Sequence, residues 1–123
     1  TIFLKDKFLM DINLTAEALL KQIGFTHPDE TAINQMQIII DNTKDFTKFS
    51  KHILALHDHL QHVHAFIAPS NSSQFLKIKM PDASSDAIVQ EFHELVEGFA
   101  TKYKVEIEKV PGKETYYIKG CIN

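Results

Sequence analysis

Seven apolar residues, Phe46, Phe49, Ile53, Leu56, Leu60, Val63 and Ile67, follow one another at alternating steps of three and four. That spacing is an unbroken heptad seam, and it predicts one amphipathic helix of about three heptads running through this stretch. A helix of this kind is stable only if something covers its seam. The cover is either the chain's own core or a second copy of the same helix.

The rest of the chain favours the first answer. A length of 123 residues is that of one ordinary domain, and 44% apolar with 24% charged residues is the composition of a packed one. We therefore read residues 1–123 as a single domain. The segment "QFLKIKM" alternates, with Leu76, Ile78 and Met80 on one side and Lys77 and Lys79 on the other, as a half-buried strand does. In "PDASSDAIVQEFHELVEGFA" a proline, serines and Asp86 precede Ile88, Phe92, Leu95, Val96 and Phe99 at helical spacing. "YKVEIEKVPGKETYYIKG" reads as a hairpin; with Pro111 and Gly112 at the turn, Val105 faces Ile118 and Ile107 faces Tyr116. Pro-Gly favours a type II turn, whose twist suits a two-residue hairpin poorly, so a bulge or longer loop is the alternative. A right-handed crossover makes the first two of these three strands parallel.

The N-terminal half reads as helical. Thr15 is a candidate cap for a short helix that ends at Gly24 and Phe25. Pro28, Asp29 and Glu30 open a second, over residues 30–42, although Met36, Ile38 and Ile40 would also line one face of a strand. "DNTKD" breaks that pattern, with Asn42 or Thr43 as the cap of the seam helix, and "APSNSSQ", Ala68 to Gln74, is a loop. Thr1 to Ile12 fits a strand, a short hairpin or an arm. The expected fold class is α+β: a small mixed or antiparallel sheet, strand-helix-strand-strand in the C-terminal half, packed on a helical N-terminal half with one long helix.

Five of the seven histidines lie in "KHILALHDHLQHVHAF", Lys51 to Phe66. With Phe46 as heptad position a, His52 and His59 fall at g, His57 and His64 at e, and His62 on the outer face. The four at e and g flank the seam and are the candidate interaction and pH-sensitive residues. Should the seam pair two chains in parallel, His52 would face His57 and His59 would face His64, and protonation would drive the pairs apart. Only His59 and His62 are spaced to share a metal along one helix, and a third ligand would have to come from His93, Asp58 or another chain. Zinc or nickel is the corresponding cofactor alternative; otherwise no cofactor is expected.

All thirteen basic residues are lysine and the formal net charge is −3, which argues against recognition of nucleic acid, where arginine reads bases and grips phosphate. Protonation of the histidines carries that charge through zero and reverses its sign. The single cysteine, Cys121, allows no internal disulfide and points to a reducing, cytoplasmic setting. No apolar run reaches the roughly 20 residues of a membrane span, and the opening stretch lacks the architecture of a secretory signal. There is no nucleophile elbow and no glycine-rich phosphate loop, and Tyr116 and Tyr117 read as strand residues, so no catalytic residue is assigned. The expected function is that of a small intracellular, non-enzymatic protein-interaction or regulatory domain, adaptor-like or inhibitor-like, with a protein partner and a possible homodimer. A histidine-dependent metal protein or a small enzyme is the alternative.

Overall fold

The computed structural model describes residues 15–81 and 85–122. The Thr1 to Ile12 segment lies outside them. Among the described residues the order is α1 (Ala16–Gln22), α2 (Glu30–Asn42), α3 (Phe46–Leu60), a 3₁₀ turn (Gln61–Val63), β1 (Phe66–Pro69), β2 (Leu76–Lys79), α4 (Asp86–Tyr103), β3 (Val105–Lys109) and β4 (Thr115–Cys121). The strands form one antiparallel sheet in the order β1-β2-β4-β3. The class is α+β, with the helical half leading and the sheet contributed by the C-terminal half.

Local chemistry explains the helix limits. Thr15 Oγ1 accepts from the Ala18 amide, and at the other end of α1 the Phe25 amide donates to Leu20 O and the Gly24 amide to Lys21 O, with Gly24 at φ 109°. This is a Schellman ending of the kind a Gly-apolar pair favours. Asp29 caps α2 through its carboxylate, 2.8 Å from the Ala32 amide, so Pro28 stands just before the cap rather than inside the helix. Helical burial settles α2 against the strand alternative: Met36 and Ile39 are buried, whereas Ile38, which a strand would have turned inward with Met36, is 49% exposed. Ser85 Oγ caps α4 by accepting from the Ile88 amide.

The seam helix is shorter than its pattern. α3 stops at Leu60, the 3₁₀ turn follows, His64 takes a left-handed conformation at φ 61°, and the chain reverses into β1. Val63 and Ile67 therefore continue the seam's burial without continuing its helix. Neither expected cap starts α3. Thr43 instead ends α2, donating through Oγ1 to Ile39 O at 2.7 Å, and left-handed Asp45 precedes Phe46 without a side-chain capping bond. All seven seam residues are buried, between 0 and 4% exposed. Helices α2, α3 and α4 lie on one sheet face, where the helical part of the seam meets Ile67, Leu76, Ile78, Ile118 and Val105, while α1 packs on α2. With the seam inside one chain, pairing of two seams, and the His52–His57 and His59–His64 contacts it would bring, has no surface to use.

The crossover from β2 through α4 to β3 leaves those strands parallel in direction, as expected, but β4 lies between them and pairs with both. The β3–β4 hairpin slips by two residues from the tight register. Ile107 faces Ile118 and Lys109 faces Tyr116, and beyond Ile107 a bulge shifts the pairing so that Val105 faces Cys121. Its turn is Val110–Lys113, with the Lys113 amide bonded to Val110 O and Gly112 at φ 75°, the type II geometry that Pro-Gly prefers. Because the slip is even, Ile107, Tyr116 and Ile118 keep a common face.

Candidate functional site

The histidine segment is split among three environments. His52 lies on α3 with its ring stacked on Tyr103 of α4, centroids 3.8 Å apart and planes within 11°. His59, one heptad later, is exposed beside the same interhelical groove. His57 points the other way and is 7% exposed, with Nε2 accepting from the Gln61 amide at 3.2 Å and a buried Nδ1 that has no partner among the described residues. It is therefore a wall of the core, not a solvated edge residue. His64 is no flank of a helix at all, because it is the left-handed residue that turns the chain toward β1. Only His52 and His59 of the four candidates share a surface.

That surface is an open groove of about 350 Å³ between α3 and α4. Its floor is Ala55, Leu56, Leu95 and Gly98, its end wall is the His52–Tyr103 stack, and Glu94 and Lys102 bring opposite charges to the rim. Gly98 sits on an exposed helical face, and a Cβ added there would meet nothing within 4 Å. The two helices are thus held apart at this point with small residues facing the gap, so the space is available to an incoming side chain.

Burial holds the His52 and His57 rings below the usual histidine pKa. Lys51 and Lys102 add to this at His52, and Asp58 acts in the opposite sense at His57. A folded-state value below the unfolded one means that the unfolded chain takes up these protons first as pH falls. The stabilisation is full above about 6.5, the unfolded value, and is lost as pH drops through the folded values. Urea midpoints should therefore fall between about pH 7.5 and pH 5.5, and His52→Gln should show a smaller fall than the parent chain; an unchanged fall would mean that His52 is not linked to folding.

A second polar cluster was not foreseen from the sequence. His93 on α4 places Nδ1 2.5 Å from Tyr116 Oη and Nε2 2.5 Å from the Glu114 carboxylate, and Tyr116 Oη donates to Glu97 at 3.4 Å. Burial first, then Glu97 and Glu114, push the Tyr116 hydroxyl up to about 12, so it remains a donor. The cluster bolts α4 to β4 and the hairpin loop. None of its four members lines the groove between α3 and α4. The only hint in the sequence was His93, whose partners lie 21 and 23 positions away in the chain.

His59 and His62 gain no third donor: among the described residues no group of three or more histidine, cysteine, aspartate or glutamate side chains is arranged to hold a metal ion. No helix of the described residues is long and apolar enough to cross a membrane. Comparison with protein-family models, with curated proteins and with solved structures returned no match for this chain.

Proposed function

We propose that this protein is a small non-enzymatic interaction or regulatory domain that captures a partner protein through the groove between α3 and α4. The observation that carries this reading is the open apolar floor at Ala55 and Gly98, framed by the His52–Tyr103 stack. An apolar side chain presented by a partner segment fits such a floor, and a segment with polar residues of both signs beside it complements Glu94 and Lys102 at the rim. The aromatic stack supplies a flat, preordered wall that loses little freedom on binding. Because His52 belongs to that wall between Lys51 and Lys102, protonation adds a third positive charge there and weakens a partner that approaches with a cationic rim.

A photo-crosslinking amino acid at His59, on the groove rim, is expected to trap one defined partner in the cells that make the protein. The same group at Lys21, on exposed α1, should not trap it. Equal trapping from both positions, or none from His59, would contradict a groove-directed interaction.

A further inference from the structure

Another concave site lies on the sheet face opposite the helices and has a different chemistry. On β2, Lys77 stands beside Tyr117 of β4 and Lys79 beside Thr115, and Lys113 leans in from the hairpin loop. Together with the β1–β2 loop they enclose a pocket of about 140 Å³. Among the described residues no carboxylate lines it, and none of the three lysines forms an ion pair. Lys119, on the same face, shows the contrast: it is neutralised by Glu108 at 3.6 Å and rests on the Phe75 ring at 4.1 Å. Three lysines that make no ion pair among the described residues thus line one pocket, and their charges favour an anion there.

The neutral donors of the pocket point the same way. The Ser72 amide donates to the buried Ser70 Oγ at 3.2 Å, Ser70 Oγ lies 3.3 Å from Ser72 Oγ, and Ser72 Oγ lies 3.0 Å from Tyr117 Oη. With the backbone amide at its head, this row of hydroxyls can run in one direction, each donating to the next, and it then leaves the Tyr117 O–H free to donate into the pocket. The hydrogen bond from Ser72 is the first reason that the Tyr117 hydroxyl lies below its usual value.

We propose that this pocket binds a phosphoryl dianion, either free phosphate or a small phosphate monoester, with Lys77, Lys79 and Lys113 supplying the charge and Tyr117 the terminal hydroxyl donor. Ammonium groups act as point charges and can converge on a tetrahedral ion from several sides, whereas a planar carboxylate is better matched by a guanidinium, which this chain lacks. The volume suits one compact oxyanion, with any ester substituent directed out to solvent.

The test is a titration of the full chain with inorganic phosphate at low ionic strength, followed by amide chemical shifts. Saturable shifts are expected at Ser72, Lys77, Lys113 and Tyr117, with acetate binding about tenfold or more weakly. Lys77→Gln and Lys113→Gln should each weaken phosphate by about tenfold, as loss of a charge-assisted bond does, and Tyr117→Phe should weaken it by about threefold or more. Glycerol phosphate distinguishes the sources: tighter binding than inorganic phosphate assigns the site to a monoester, and equal or weaker binding assigns it to the free ion. Spectra of each variant without ligand establish that the fold is intact. Shifts that never saturate, acetate equal to phosphate, or an equal loss in the remote Lys21→Gln variant would overturn the assignment.

Discussion

Truncating Leu60 to alanine is expected to lower the free energy of unfolding by about 2 to 5 kcal/mol. Leu60 is fully buried at the last position of α3, where the Ala65 amide closes the turn by donating to Leu60 O at 3.0 Å. Alanine is the better helix former, so the loss comes from the emptied core and not from the backbone. Helix, turn and first strand meet at this side chain, and its neighbours Leu56, Val63 and Ile67 are too constrained by their own burial to close the space. The measurement is a urea melt, with the slope unchanged and the midpoint lowered. His62→Ala, on the exposed side of the same turn, should stay within about 0.5 kcal/mol of the parent. A Leu60→Ala loss of that smaller size would mean that the seam is not the core.

Gly120→Ala is expected to lose about 3 kcal/mol, for two separable reasons. Gly120 sits at φ 137°, a conformation that side-chain-bearing residues avoid, and a Cβ there would lie 2.7 Å from the Lys44 amide nitrogen and 2.8 Å from Lys44 Cβ. That close approach is what lets the α2–α3 connection add to the end of β4, through the bridge between Lys44 and Gly120 and the Cys121 amide donating to Lys44 O at 3.0 Å. Gly112→Ala isolates the first reason. Gly112 also has a positive φ, 75°, but open space around it, so its cost should be only about 1 to 2 kcal/mol. Equal losses at the two sites would show that the Lys44 contact contributes nothing.

Elements whose ends carry glycine, proline or a capping side chain were legible in the sequence: α1 from Thr15 to Gly24, α4 from Ser85, and the type II turn at Pro111 and Gly112. The end of α3 was not. His64, Asp45 and Lys104 hold the left-handed conformation at three reversals, and none of them is the glycine that normally announces one. Without such a signal, a seam that stays buried while passing from helix to 3₁₀ turn to strand keeps its spacing and reads as one long helix. The hairpin faces were legible because an even slip preserves them, whereas its register depended on the loop length and on the bulge beside Gly120.

The same distinction applies to the sites. Heptad position placed His52 and His59 on one surface correctly, because both lie within true helix. His57, on the other side of the seam in the same helix, is buried rather than solvated, and His64 lies past the helix end. Tyr103, Gly98 and Glu94, which complete the groove, could not be paired with His52 and His59 from the sequence, since the angle at which α4 crosses α3 is a tertiary property. For the lysine pocket, the alternation of "QFLKIKM" already set Lys77 and Lys79 on the outer face. Tyr117, Ser72 and Lys113 joined them only through the strand order.

Gly98 gives the most direct test of the groove as the interaction surface. Affinity for the partner trapped from His59 should be measured, alongside thermal unfolding, for the parent chain, Gly98→Ala and Gly98→Leu. A methyl group here meets open space on a helix, so Gly98→Ala should stabilise the fold by about 0.5 to 1 kcal/mol and leave most of the groove open. Gly98→Leu fills the floor that the partner's side chain needs. Gly98→Leu is expected to unfold no earlier than the parent chain and to lose affinity by about tenfold or more. A Gly98→Leu protein that binds as tightly as the parent would contradict a groove-directed interaction.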